Sequence, residues 1–163
     1  MLALCGPAAA EEKADVRKLL EPQLLGTWVQ VGTLAKPPTA KAGQEAQLRC
    51  RPRTALGGLR FERGLPKTLP NRTDIAGDVH WAAFKEGLTR FDWAGGTVTR
   101  YPEAKTAMVK GRRVFSLRGR TGVRNMLFQK IETRLGKADM MVADRAIFLR
   151  CVGSAPAAEK DGG

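Results

Sequence analysis

Three cysteines and a single histidine bound the chemistry open to this chain of 163 residues. Cys50 and Cys151 occupy similar settings, Gln47-Leu48-Arg49-Cys50 and Phe148-Leu149-Arg150-Cys151, each read here as the end of a strand. Cys5 lies apart, in an uncharged, small-residue leader. If the leader is removed, two cysteines remain, and two close one bridge. A Cys50–Cys151 disulfide is therefore the expected pairing. It would close a loop of about 100 residues and contribute up to roughly 4–5 kcal/mol by restricting the unfolded chain.

His80 alone makes no histidine-based metal cluster, and no Cys-x-x-Cys pair occurs. It reads as an outward strand residue beside Trp81. There is no Gly-x-x-x-x-Gly-Lys phosphate loop and no Gly-x-Ser-x-Gly elbow; Ser116 and Ser154 are the only serines. Asp74, Asp78, Glu86 and Asp92 could supply a carboxylate pair, but no spacing singles out two of them. The expectation is a protein that is not an enzyme, with no catalytic residue, metal or cofactor.

The charge balance is strong: 28 Lys+Arg against 16 Asp+Glu, a formal +12. Such a surface attracts nucleic acid, anionic lipid head groups, acidic polysaccharide or acidic proteins. The basic residues are scattered without a run of five, which also suits solvated strand faces.

The elements that must position these residues are mostly strands. Eighteen glycines and nine prolines point to many turns. Residues 1–10 read as the last part of a secretory signal, with an Ala8-Ala9-Ala10 cleavage site, so export to a periplasm or the exterior is expected. Residues 11–21 read as a short helix stopped by Pro22. A first strand is expected over 24–33, a loop over 34–45 and a second strand over 46–51. Leu59 and Phe61 alternate with Arg60 and Glu62 in a third. Residues 64–78 form the longest irregular piece, and long loops are often functional. Further strands are expected from Val79 onward, with turns at Gly95-Gly96, Gly111-Arg112 and Gly136, and a disordered tail from Gly153. Nothing is long and apolar enough to be a spanning helix. The sum is an all-β domain over 11–152: a single antiparallel up-and-down barrel of roughly eight to ten strands with a short N-terminal helix.

Gly26-Thr27-Trp28 after a short helix, a long first loop at 34–45 and a closing strand over 144–151 resemble the lipocalin-like barrels, in particular small bacterial exported ones. The segment 64–78 is an addition to the family's usual spacing. The resemblance implies that Trp28 packs at the closed end of the barrel, with a basic residue of a late strand, Arg145 or Arg150, over its ring as a cation–π partner.

The expected work is binding. A small apolar or amphipathic ligand, with an acidic group drawn by the positive field, would sit in the barrel of a monomer. Strand alternation offers Val29, Val31, Leu59, Phe61, Trp81, Phe91, Trp93, Phe115 and Leu117 as lining. The alternative is a basic surface that binds an anionic polymer or a protein partner through 34–45 and 64–78. Phe61, Trp81, Phe84, Phe91, Trp93 and Tyr101 could stack nucleobases, but the core needs most of them, so nucleic acid is the less favoured partner.

Overall fold

Alternating apolar and polar residues put most of the chain into strands, and a computed structural model shows how they pair. It describes residues 12–13, 15–50, 58–63, 79–84, 87–92 and 97–153. The expected signal at 1–10, the segment 64–78, Trp93, the Gly95-Gly96 turn and the tail from 154 lie outside the described residues.

Eleven strands form one sheet. In chain order they are β1 (Glu12–Lys13), β2 (Gly26–Thr33), β3 (Leu59–Arg63), β4 (Val79–Ala83), β5 (Leu88–Asp92) and β6 (Thr97–Tyr101). Then follow β7 (Glu103–Val109), β8 (Arg112–Gly119), β9 (Gly122–Thr133), β10 (Gly136–Ala143) and β11 (Ala146–Arg150). The spatial order is β1-β7-β8-β9-β10-β11-β2-β3-β4-β5-β6.

Three expectations about the elements are corrected. First, the sheet is not wholly antiparallel, because β3 and β4 pair in parallel. Parallel neighbours need a crossover of about a dozen residues or more, and the chain from 64 to 78 supplies that length. Second, the strand expected over 46–51 is a helix, α2 (Ala42–Arg49), which also takes the end of the expected 34–45 loop. Ala-Gly-Gln-Glu-Ala-Gln-Leu-Arg holds good helix formers and no β-branched residue. Ala42 and Ala46, one turn apart, are its buried face. Third, Pro22 does not stop a helix. A π-helical turn (Val16–Leu20) runs into α1 (Glu21–Leu24), with proline in the first turn of α1, where no amide hydrogen is needed. Asp15 caps the entry, accepting from the Arg17 and Lys18 amides at 3.1 and 3.2 Å.

The sheet wraps round one core. Trp28, Phe61, Trp81, Leu88, Tyr101, Phe115, Leu117, Met126, Met141 and Phe148 meet there with Val16, Leu20 and Leu24 from the helical segment. That segment is a plug: these three side chains are fully buried and Leu19 partly so, each of the three worth about 1.5–3 kcal/mol when removed from water. A second cluster lies on the outer face. There Ala42 and Ala46 of α2 cover Val29, Met140, Ile147 and Leu149.

One end of the strand order, β6, runs by chain into β7, the strand next to the other end, and among the described residues no ladder joins them. β6 pairs with β5, β7 pairs with β8 and β1, and Pro102 alone separates β6 from β7. β6 is approached closely on both sides. Within the β5–β6 ladder, where Leu88 pairs with Tyr101, a Cβ on Gly87 would lie 2.0 Å from the Tyr101 carbonyl oxygen. Across the seam, one on Gly119 of β8 would lie 2.6 Å from the Arg100 carbonyl oxygen.

Candidate functional site

The register of β2 against β11 builds the most distinctive group in the molecule. Arg150 lies directly opposite Trp28, and both point to the side that Phe148 and the core occupy. The Arg150 guanidinium carbon sits 4.6 Å from the centre of the Trp28 ring. Its Nη1 bonds Asp139 Oδ2 at 3.0 Å, and its Nη2 donates to the Gln23 carbonyl of the plug. Trp28 Nε1 donates to the Leu24 carbonyl at 2.7 Å. One arginine and one indole thus fix the plug to the sheet. Burial pushes the Arg150 guanidinium below its usual range, and Asp139 pulls it back up. Among the described residues Arg150 Nε is buried without a hydrogen-bond partner.

Between the resemblance's two candidates, Arg150 is the one over the ring. Arg145 lies in the β10–β11 turn, at the other end of β11.

A cleft of about 400 Å³ opens beside this group, lined by Pro22, Gln23, Trp28, Phe128, Gln129, Lys130, Asp139, Met140 and Arg150. Trp28 and Phe128 form its aromatic wall, with ring centres 6.0 Å apart. Asp139 lies between two cations, Arg150 and Lys130, the latter at 3.9 Å. The polar rim therefore has two positive charges and one negative.

The residues proposed from alternation divide between faces. Phe61, Trp81, Phe115 and Leu117 lie in the interior cluster, with Leu59 packed against it. They pack within one buried cluster. Trp81 stacks between Phe61 at 5.4 Å and Tyr101 at 5.6 Å, and Arg90 lies 5.8 Å from its ring centre. Val29 and Val31 belong instead to the outer cluster under α2. With Trp28 facing inward, the period of two sends its odd-numbered neighbours outward. Phe91 is half-buried and lies opposite His80 in the β4–β5 ladder. His80 alternates with core-facing Trp81, as an outward strand residue does, yet it is buried and 3.9 Å from Glu62.

Comparison with family models, curated proteins and solved structures returned no match.

Cys50 and Cys151 are at bonding distance, with Cα atoms 5.7 Å apart. The bridge joins the C-terminal cap of α2 to the residue after β11, rather than strand to strand. Ser116 donates its hydroxyl to Asn125 Oδ1 at 2.9 Å. Among the described residues no group of three His, Cys, Asp or Glu side chains comes together as metal ligands.

Sequence reasoning missed Phe128, Lys130 and Asp139. A signal for two of them exists. Centring the β9–β10 hairpin on Arg134-Leu135 places Asp139 opposite Lys130, a cross-strand charge pair.

Proposed function

We propose that this chain is a non-enzymatic, exported, lipocalin-like binding protein whose sheet closes as a barrel. Its ligand is a small acidic amphiphile held in the cleft over Trp28 and Phe128. The close approach of Gly119 on β8 to Arg100 and Tyr101 on β6 supports closure. The Cys50–Cys151 pair supports an oxidising compartment. Among the described residues no helix is long and apolar enough to cross a membrane, a statement about helices only.

One observation carries the ligand class: two cations and one carboxylate rim an aromatic wall. Apolar walls with a few placed polar groups bind amphiphiles, and the surplus cation selects an acidic head. The interior expected to hold the ligand supports this placement less well, because its aromatic side chains pack on one another and on the plug.

The test is a fluorescence titration with 1-anilinonaphthalene-8-sulfonate, compared with its uncharged parent amine. The sulfonate is expected to bind at least about fivefold more tightly, the worth of roughly 1 kcal/mol of charge attraction. Lys130 is 75% exposed in its side chain, so Lys130→Glu leaves the fold intact. It is expected to abolish the preference while leaving affinity for the amine unchanged. Equal affinity of the wild-type protein for both probes removes the acidic-ligand reading.

A further inference from the structure

Antiparallel hairpins alternate ends. The β7–β8 and β9–β10 turns therefore share one end of the sheet, and the β8–β9 and β10–β11 turns share the other. Arg150 closes β11 at the first end, so the cleft opens there too.

Both turns at this end hold bulky apolar side chains in water. Met108 and Val109 are 50% and 49% exposed on the first, and Leu135 is 57% exposed on the second. Cations surround them: Lys110, Arg112 and Arg113 at the first turn, Arg134 and Lys137 at the second, all exposed. Among the described residues only Lys137 of these five has an acidic partner, the equally exposed Glu132 at 4.0 Å.

The backbone of the first turn adds a second observation. Val109 pairs with Arg112, so Lys110 and Gly111 form a two-residue turn, and both have positive φ, 50° and 77°. Such turns favour Asn-Gly, Asp-Gly or Gly-Gly. A lysine there is strained. The chain holds a cation at this tip against its local backbone preference.

We propose that this end of the sheet is a docking surface for an anionic lipid bilayer. Unpaired cations alone would suit any polyanion. Three exposed apolar side chains set among them suit a surface that is negative at the head groups and apolar just beneath. Met108, Val109 and Leu135 enter the head-group boundary. Lys110, Arg112, Arg113 and Arg134 meet the phosphates, each worth about fivefold in affinity at the surface. The proposal stands on the two turns and does not depend on a ligand in the cleft.

The test is sedimentation of the full chain with vesicles of phosphatidylglycerol in phosphatidylcholine, and with phosphatidylcholine alone. Binding to the mixed vesicles is expected to be at least tenfold tighter and to weaken steeply with salt. Met108→Ser and Leu135→Ser, made separately on exposed turns, are each expected to lose about threefold or more with unchanged thermal midpoint. Lys110→Glu with Arg112→Glu is expected to lose more than tenfold. Absence of binding to the mixed vesicles at low salt overturns the proposal. So does wild-type affinity in both serine variants. A single-stranded oligonucleotide that binds wild type and serine variants equally, and strips the protein from vesicles, reassigns the surface to a soluble polyanion.

Discussion

Replacing Cys50 and Cys151 together by alanine is expected to lower the thermal midpoint by on the order of 10–15 °C. The two cysteines are 101 residues apart in sequence. In the chain-entropy account a loop of that size is worth about 4.7 kcal/mol. A domain of this length shifts its midpoint by roughly 2–4 °C per kcal/mol. Total stabilities are about 5–15 kcal/mol, so the loss is a large share. The structure adds a local reason. α2 reaches the sheet through Ala42 and Ala46, two of the smallest apolar side chains, and their methyl groups bury little area. The bridge at its C-terminal cap holds what those contacts cannot. Scanning calorimetry of the oxidised wild type against the double variant measures the effect. A midpoint unchanged within about 2 °C would show that the bridge does not form or does not matter. Mass spectrometry of the non-reduced protein separates those outcomes, because the bridge removes two hydrogen atoms.

Gly87→Ala is expected to destabilise the fold by more than about 3 kcal/mol. The added methyl would stand 2.0 Å from the Tyr101 carbonyl oxygen and 3.0 Å from the Pro102 Cα, both backbone atoms. Backbone atoms have no rotamer in which to retreat, so the chain must shift as in severe overpacking. Gly111→Ala is the control. It meets nothing within 4 Å, but its φ of 77° strains any side chain. It is expected to lose only about 1 kcal/mol. Urea unfolding of the two variants gives the comparison. Equal losses would mean that the approach of Gly87 to the β6 backbone is not tight.

Much of the strand layout was legible because period-two alternation survives tertiary packing. Leu88 to Asp92, Thr97 to Tyr101 and the run from Arg112 to Arg150 fall close to where apolar spacing and turn glycines put them. The helix α2 was not legible from the cysteines. Gln-Leu-Arg-Cys at 47–50 looks like Phe-Leu-Arg-Cys at 148–151. Yet the residues before the first are helix formers, and those before the second are Ala-Ile. Local composition decided what the tetrapeptide could not. The parallel β3–β4 pair was illegible for a different reason. Strand direction is set by what lies between the strands and by the core, and neither leaves a mark within five residues. Arg150 over Trp28 could be read from a resemblance. The remainder of the cleft could not, because Lys130 and Asp139 come together only through the register of a hairpin.

The ladder between β2 and β11 also sets when this molecule can exist. Trp28 sits near the start of the described chain and Arg150 near its end, yet they are direct cross-strand partners. The cation over the indole, the Arg150 bond to the plug and the bridge to α2 all wait for the last strand. Contacts between such distant segments slow folding, since loop closure must precede the contacts that reward it. A ribosome-bound chain lacking β11 has no partner for the outer edge of β2 and no lid over Trp28. The β2–β11 ladder therefore forms only once β11 is available to pair.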